Sequence, residues 1–366
     1  MWKGNLPREI LSAGKRGYAA SAPLPYPEGT EVVDCALGTN PLGMPPSAKR
    51  ALEEGAGTDL CRYPSPEPED LKLAIPSRYP SWRLCREQIL VGSGSMGVLV
   101  NLLRLLLRPG TTFSGISPQF TDTVLQALYA GASYRPVILE GPQYRMDCDG
   151  ILQALRESPA VFYLDRPNNP TGQVLPLRDV ERIAARALDR GTWVISDEAY
   201  GDFIPDGESS ACLEYPNLVT CRSFSKGLGL AGIRVGYAIT RDPELAGLFR
   251  AVQPPFAVGT MDAALAAAAL EDRDFLDRTR LYVEGAKKKT LDAIAGRPEW
   301  WAGETDGRVP ILLLSQQSGD LPRRLARAGI ACEPGEGFFH LDNRSARLRV
   351  PAPGKLEIFL ERLARA

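Results

Sequence analysis

The chain has 366 residues and a mass of 39.8 kDa, which exceeds the size at which one core usually stops growing and predicts a large domain with a smaller one. Its 43 Lys and Arg residues nearly cancel its 44 Asp and Glu residues, and 44% of its residues are hydrophobic. This balance is typical of a globular protein and argues against a disordered chain and against capture of nucleic acid or acidic membranes. Because His340 is the single histidine, a multi-histidine zinc site is excluded.

The seven cysteines are scattered, odd in number and nowhere spaced as CxxC, so neither a disulfide framework nor a metal site is predicted. We expect reduced and mostly buried thiols. The first residues carry charges and no apolar segment, and no run reaches the ~18 apolar residues of a membrane span. The sequence therefore predicts a cytoplasmic protein without a membrane segment.

From about residue 30 to residue 250, short apolar runs alternate with amphipathic segments of helix length, which is typical of an α/β layer fold. The predicted strands are 89–91, 112–116, 135–139, 161–164, 193–196, 218–221 and 235–239. The predicted helices between them are 98–107, 120–129, 151–156 and 177–189. Because open α/β sheets bind their ligands at the carboxyl ends of strands, polar residues there are candidates for a site.

Three regions are predicted along the chain. Residues 1–30 contain several prolines and little periodicity, which favours an extended arm. Residues 31–255 form the large domain. Residues 256–366 form the small domain, which begins with a long Ala-rich bridging helix over 261–295 and ends with a helix over 355–365.

A lysine follows the predicted strand 218–221 inside the segment SFSKG, residues 223–227. A poorly solvated strand end disfavours the ammonium form of Lys226 and suits Schiff-base chemistry. The alternative is an ordinary exposed turn lysine.

Three other segments place polar residues at strand ends. Asp197 closes the apolar strand 193–196, where a carboxylate suits either a cofactor pyridine nitrogen or a helix N-cap. The segment GSGSMG, residues 92–97, suits either a phosphate cradle or a plain strand-to-helix turn. The segment RPNNPTG, residues 166–172, is typical of a turn when taken alone.

Together and in this order, the four segments resemble the class I/II aminotransferase family of fold-type I pyridoxal-5′-phosphate enzymes. The resemblance is nearest to the branch of histidinol-phosphate aminotransferases and threonine-phosphate decarboxylases. That assignment depends on NPLG at 40–43, RYP at 62–64 with LKLAI at 71–75, and PNNPTG at 167–172. It implies an α/β fold with a large mixed-sheet domain and a small α+β domain.

The resemblance also implies roles for individual residues. Lys226 would form the Schiff base with pyridoxal 5′-phosphate, and Asp197 would pair with the pyridinium nitrogen. Tyr200 and Asn169 would hydrogen-bond the 3-oxygen of the ring, and Phe120 would stack on it. The cofactor phosphate would lie among Gly94, Ser95, Met96, Ser223, Ser225 and Arg234, with Tyr63 reaching in from the other subunit of a homodimer.

For the substrate carboxylate, the resemblance implies an arginine near the C-terminus, and we expect Arg349, with Arg344 and Arg347 as rivals. Asn40 is a further expected substrate contact. Glu333 stands where the branch has an arginine for a substrate phosphate, and an acid there would repel a phosphate; the alternative is that it points to solvent.

Arg166 stands where the family has a small or amide residue, and it is either a salt-bridged strand-end residue or a contact for a substrate anion. The expected activity is amino transfer between an L-amino acid or related amine and a 2-oxo acid. The alternatives are α-decarboxylation or another pyridoxal-dependent lyase or cyclase reaction on the same fold, and a non-catalytic binding protein that kept the fold.

Overall fold

The computed structural model describes residues 24–55 and 59–366. Most of the predicted arm 1–30 therefore lies outside the described residues. The strands are β1 Val33–Asp34, β2 Ile89–Ser93, β3 Thr112–Ser117, β4 Ser133–Ile138, β5 Val161–Asp165, β6 Trp193–Asp197, β7 Leu218–Ser223, β8 Val235–Thr240, β9 Trp300–Ala302, β10 Ile311–Gln316, β11 Ile330–Ala331, β12 Glu333–Pro334 and β13 Ser345–Arg349. The α-helices are α1 Pro46–Glu54, α2 Glu69–Arg78, α3 Gly94–Leu106, α4 Thr121–Tyr129, α5 Cys148–Ala154, α6 Leu177–Leu188, α7 Pro243–Val252, α8 Thr260–Glu271, α9 Arg273–Ala295, α10 Leu321–Arg327 and α11 Leu356–Arg365.

The large sheet has seven strands in the order β2-β8-β7-β6-β5-β3-β4. All neighbours are parallel except β8, which is antiparallel to both β2 and β7. The central strands are buried along their whole length, as expected for a sheet covered by helices on both faces. All seven predicted strands of this region are present.

The period-two alternation of each strand divides its side chains between the two faces. In β5, Val161 and Tyr163 pack in the core under α3, whereas Phe162 and Leu164 pack in the core under α6. Helix α6 buries Val180, Ile183, Ala184 and Ala187 on one stripe, the spacing of an amphipathic helix. The carboxyl ends of β5, β6 and β7 consequently meet at one edge, where Asp165 pairs in register with Asp197 and Ser223 ends β7 two residues beyond Cys221, the partner of Asp197.

The smaller sheet is antiparallel, with the order β12-β13-β10-β9. Its apolar face packs against α9 and α11 through residues such as Leu312, Leu348, Val283 and Phe359. The short strand β1 pairs in parallel with β11. Segments far apart in the sequence are thus joined here, which agrees with the expectation of a second, smaller unit; the exact domain boundaries stay a prediction.

The predicted helix over 261–295 is wrong, because the structure has two helices, α8 and α9. The helical conformation is interrupted at Asp272, whose side chain accepts a hydrogen bond from the backbone N–H of Phe275 at 3.1 Å. Aspartate is a strong N-cap residue, so it begins a new helix within an otherwise helical composition. In addition, Val33 and Cys35 pack in the core of the C-terminal region, although the predicted boundary placed them in the large domain.

The seven cysteines all lie within the described residues, and none forms a disulfide. Four are buried, and Cys61 and Cys85 are exposed. No helix in residues 24–55 and 59–366 has both the length and the apolar character needed to span a bilayer.

Candidate active site

A cavity of about 370 Å³ opens at the carboxyl ends of β5, β6 and β7. Its volume lies within the range of small-molecule sites. Of the residues predicted for the site, the cavity is lined by Ser95, Met96, Phe120, Asn169, Asp197, Tyr200, Ser223, Ser225, Lys226 and Arg234. Residues from four separate predicted segments are therefore brought together, while their individual roles stay predictions.

Lys226 lies in the turn that follows β7 and is half-buried. The turn is held closed by a hydrogen bond from the N–H of Gly229 to the carbonyl of Lys226, at 3.1 Å. The Nζ atom lies 5.4 Å from the centre of the Tyr200 ring. Opposite both groups stands Gly38, where any side chain would clash with the Tyr200 hydroxyl and approach Lys226 Nζ. The lysine is thus a cavity residue and not an exposed turn residue.

Asn40 does not line the cavity. Its Nδ2 donates to the carbonyl of Gly227 at 2.7 Å, and its Oδ1 accepts from the N–H of Leu42 at 2.7 Å. Both polar atoms of this side chain have partners within the chain, and Asn40 fixes the backbone of the residue next to Lys226. The expected substrate contact of Asn40 stays a prediction.

Asp197 is 4% exposed and lines the cavity. Its Oδ2 accepts from the Tyr163 hydroxyl at 2.7 Å and its Oδ1 from the N–H of Ala199 at 3.0 Å. Burial raises the pKa of Asp197, while these two hydrogen bonds and the charge of Lys226 lower it. Only a 3₁₀ turn follows β6, so the carboxylate does not cap an α-helix.

Tyr200 and Asp165 are two further buried polar residues that line the cavity. Tyr200 is 3% exposed, and its hydroxyl makes no hydrogen bond within the described part of the chain. Asp165, which the sequence analysis missed, accepts hydrogen bonds from the N–H groups of Phe120 and Asn169, each at 3.0 Å. Burial raises the pKa of Asp165 to about 7, and its hydrogen bonds oppose that shift. It closes β5 as Asp197 closes β6, so the same strand-end argument could have found it.

The N-terminus of α3 forms another wall of the cavity. Gly94 begins this helix with φ +72°, and a side chain there would clash with the guanidinium of Arg234. Arg234 Nη1 donates to Ser225 Oγ at 3.3 Å and to the carbonyl of Ala231 at 2.9 Å. Helix N–H groups, serine hydroxyls and an arginine are the groups that bind a phosphate. The arrangement suits the predicted phosphate cradle.

Tyr63 lies outside this cavity. Its side chain is 82% exposed and stacks on Phe256, with ring centres 4.7 Å apart. The expected contact of Tyr63 with the cofactor phosphate of the other subunit stays a prediction.

The two arginines of β13 have different surroundings. Arg349 donates to the carbonyls of Leu37, Val350 and Asp34 at 2.5, 2.8 and 2.7 Å, and lies outside the cavity lining. Arg347 lines the cavity, and its Nη1 donates to Asn169 Oδ1 at 3.1 Å. The structure therefore favours the rival Arg347 over Arg349 as the arginine that faces a substrate.

Glu333 is 6% exposed, so it does not point to solvent, and it pairs in register with Arg347 across β12 and β13. It is not part of the cavity lining. Burial raises the pKa of Tyr200, and the charge of Glu333 adds to that rise while the charges of Arg347 and Arg349 oppose it. Arg344 is exposed and ion-paired with Asp342, with the closest atoms 2.7 Å apart. Of the C-terminal arginines, only Arg347 reaches the cavity.

Arg166 is fully buried behind the cavity. Its Nη1 lies 3.2 Å from Glu198 Oε1, and its Nε donates to the carbonyl of Leu175 at 2.5 Å. Glu198 also binds Arg222 at 3.0 Å. Of the two interpretations left open for Arg166, the structure supports the salt-bridged strand-end residue.

Residues 30–364 match the family described as aminotransferase class I and II. The chain is 34% identical over 252 residues to histidinol-phosphate aminotransferase 2 of Nitrosospira multiformis, a match that covers 68% of this chain and 62% of that protein. It is 29% identical to histidinol-phosphate aminotransferase 1 of Mesorhizobium japonicum, over 93% of this chain and 95% of that protein. The crystal structure of histidinol-phosphate aminotransferase from Sinorhizobium meliloti in complex with pyridoxal-5′-phosphate superposes with a TM-score of 0.81 at 24% identity, over 97% of this chain and 98% of that chain.

The chain belongs to the aminotransferase class I and II family. The expected family and the expected fold, that of the fold-type I enzymes, are confirmed, and pyridoxal 5′-phosphate is the cofactor that we expect. The match spans less than two thirds of the Nitrosospira protein and nearly all of the Mesorhizobium protein.

The residues present fit this cofactor. The buried Tyr200 hydroxyl has no partner within the described chain and faces the same cavity as Lys226. Gly38 lines the cavity, where a side chain would clash with the Tyr200 hydroxyl, and a side chain at Gly94 would clash with the guanidinium of Arg234. Asp197 supplies a buried carboxylate, and the α3 end of the cavity supplies phosphate-binding groups.

Proposed function

We propose that this protein transfers an amino group from an L-amino acid to a 2-oxo acid. The single observation that carries the proposal is that the Lys226 amine and the buried Asp197 carboxylate line one cavity. Pyridoxal 5′-phosphate supplies an electron sink when bound. Lys226 would bind it covalently and then move a proton at the α-carbon, while Asp197 would hold the ring nitrogen protonated.

Around these two groups, the chain positions the rest of the reacting system. Tyr200 and Asn169 would hold the ring oxygen, Phe120 would cover one face, and Ser223, Ser225, Arg234 and the N-terminus of α3 would bind the phosphate. Arg347, which also lines the cavity and bonds Asn169, would orient the substrate carboxylate.

The substrate class follows from the pair Arg347 and Glu333. A carboxylate carries one negative charge, which Arg347 can match, whereas a phosphate carries nearly two and would also meet the field of the buried Glu333. We therefore propose an amino acid without a distal phosphate. The names of the curated relatives make histidinol phosphate the competing candidate.

The test is a half-reaction followed at the visible cofactor band. Amino acids, histidinol phosphate and threonine phosphate are each added to purified holoenzyme. Conversion to pyridoxamine phosphate that a 2-oxo acid reverses would support transfer. Release of CO₂ with the cofactor still in its aldehyde form would instead show decarboxylation. Efficient turnover of either phosphorylated compound would overturn the argument from Glu333.

We also propose a homodimer that works in the cytoplasm. Tyr63 and Phe256 form an exposed aromatic pair, and Leu60 is 68% exposed nearby in the sequence, a surface that a partner subunit would cover. Light scattering tests the assembly. If Tyr63 completes a neighbouring site, mixing the inactive variants Tyr63→Ala and Lys226→Ala should restore activity through mixed dimers. The seven unpaired cysteines support a reducing compartment.

A further inference from the structure

Asp165 is a carboxylate at the end of β5 that is 3% exposed and lines the cavity. Its two oxygens accept three hydrogen bonds. The Oδ2 atom accepts from the backbone N–H of Phe120 and of Asn169, each at 3.0 Å. The Oδ1 atom accepts from Asn168 Nδ2 at 2.8 Å.

All three partners of Asp165 are donors whose direction is fixed. Two are backbone amides. The third, Asn168, cannot turn its side-chain amide around, because its Oδ1 accepts from the N–H and the hydroxyl of Thr171 at 3.1 and 2.5 Å, and its Nδ2 also donates to Pro118 at 3.1 Å. Both terminal atoms of the side chain at position 165 must therefore accept hydrogen bonds. An ionised carboxylate accepts at both of its oxygens, whereas an amide accepts only at its one oxygen.

These bonds join two segments that leave neighbouring strands. Phe120 follows β3, Asn169 follows β5, and β3 pairs with β5 in the sheet. A single carboxylate atom thus fixes the backbone positions of the residue that would stack on the cofactor ring and the residue that would bind its oxygen. Hydrogen bonds to a charged acceptor are about twice as strong as neutral ones.

We infer that Asp165 is a positioning residue for the cofactor ring: it acts through Phe120 and Asn169, which it holds at a set separation before the cofactor binds. The inference rests on the proposed placement of the ring between those two residues. Asp165 is thus a further determinant of the position of the cofactor ring. It lies directly before the RPNNPTG segment and acts independently of Lys226.

The first test uses the protein without cofactor, at pH 8, and follows amide hydrogen exchange. Asp165→Asn should speed exchange at Phe120 and Asn169 by about tenfold or more. The new amide would place its own donor against Asn168 Nδ2, and its oxygen would no longer offer the two backbone amides a charged acceptor. Asp147→Asn is the matched control. Its carboxylate likewise accepts from two backbone amides, those of Asp149 and Gly150, but on the exposed start of α5. Unchanged protection at Phe120 and Asn169 in Asp165→Asn would overturn the inference.

The second test measures binding of pyridoxal 5′-phosphate to the apoproteins by equilibrium dialysis. Asp165→Asn should bind about tenfold more weakly than wild type, with the same far-ultraviolet circular dichroism, whereas Asp147→Asn should bind as wild type does. Equal affinity in Asp165→Asn and wild type would overturn the positioning role. A wild-type protein that binds no cofactor would instead overturn the proposed function and leave the exchange result standing.

Exchanging the side chains of residues 165 and 168 tests whether the direction of their hydrogen bond matters. In the double variant Asp165→Asn, Asn168→Asp, the new amide can donate to residue 168 and still accept from both backbone amides, at the cost of the bond to Pro118. It should therefore recover most of the lost amide protection and affinity. A double variant no better than Asp165→Asn would show that the direction of these hydrogen bonds is not what Asp165 provides.

Discussion

The Nζ atom of Lys226 lies 5.4 Å from the centre of the Tyr200 ring, and the Tyr200 hydroxyl is buried without a hydrogen bond from the described chain. A buried hydroxyl without a partner is unfavourable for the folded protein. The Tyr200 hydroxyl therefore does not stabilise the folded chain, and we expect it to hydrogen-bond a bound ligand.

Tyr200→Phe should leave the apoprotein as stable as wild type or more stable by up to about 1 kcal/mol, because an unsatisfied hydroxyl is removed. It should also weaken cofactor binding about tenfold, since a hydrogen bond to the ring oxygen is lost. Urea unfolding and dialysis measure the two effects. Tyr163→Phe is the contrast, because it removes a hydrogen bond to Asp197 and should lower apoprotein stability. A destabilised Tyr200→Phe apoprotein would contradict the first expectation.

The two arginines of β13 should separate into a substrate residue and a structural residue. Arg347→Met should raise the KM for the amino-acid substrate at least tenfold, because a charge-assisted contact is lost. Arg349→Met should mainly lower the melting temperature, since the arginine bonds the carbonyls of Leu37, Val350 and Asp34. Steady-state kinetics and thermal unfolding of both variants check this. A raised KM confined to Arg349→Met would return the carboxylate role to Arg349.

Arg166→Met should destabilise the protein by about 3 kcal/mol, because it leaves Glu198 buried with one cation fewer. Arg182→Met is the control: its ion pair with Asp149 is 51% and 79% exposed on the two side chains and should contribute below about 1 kcal/mol. Denaturant unfolding gives both values. If Arg166→Met stayed stable but lost affinity for an anionic substrate, the substrate-contact alternative would be right after all.

Lys287 of α9 gives a prediction about pH. Its ammonium is fully buried and donates to Thr305 Oγ1 and to the carbonyl of Val309, each at 2.9 Å, and to the carbonyl of Ile311. Burial lowers the pKa of Lys287 to about 7, from 10.5. Above pH 7 the unfolded chain therefore binds more protons at this lysine than the folded protein does.

Stability rises with pH wherever the unfolded state binds more protons. The unfolding free energy of the wild-type apoprotein should consequently rise relative to that of Lys287→Met by about 1 kcal/mol between about pH 7.5 and 8.5. Comparing the two proteins removes the contribution of other titrating groups. A difference that stays constant over this interval would show that Lys287 remains charged in the fold.

The sequence predicted the large sheet and most of the cavity lining, because apolar strands such as β5 and β6 end at polar residues and their parallel order brings those ends together. It could not separate Arg347 from Arg349. The two lie on the same face of β13 and differ in their partners, since Arg347 donates to the side chain of Asn169 and Arg349 to backbone carbonyls such as that of Leu37. It also did not reveal the break at Asp272, because the composition on both sides favours helix and only the cap geometry ends one helix and begins the next.

The hydrogen bond from Asn40 to Gly227 could not be predicted for a related reason. An asparagine near a motif can contact a ligand or a backbone group, and the choice depends on a partner 187 positions away in the chain. The sequence did not single out Asp165, because its partners lie on segments that follow two different strands. The bonds from Phe120 and Asn169 are visible only when β3 and β5 are placed side by side.

The joining of β1 to the C-terminal region sets an order of assembly for the growing chain. All strands of the large sheet precede residue 241, so that sheet can form while the last third of the protein is still being made. The cavity wall at residues 37–39 is anchored much later, by Arg349, whose Nη2 binds Asp34 across 315 positions. A chain stopped before β13 would hold Lys226 and Asp197 in a folded sheet beside an unsecured wall. We therefore expect a chain that ends before β13 to bind pyridoxal 5′-phosphate more weakly than the full chain does.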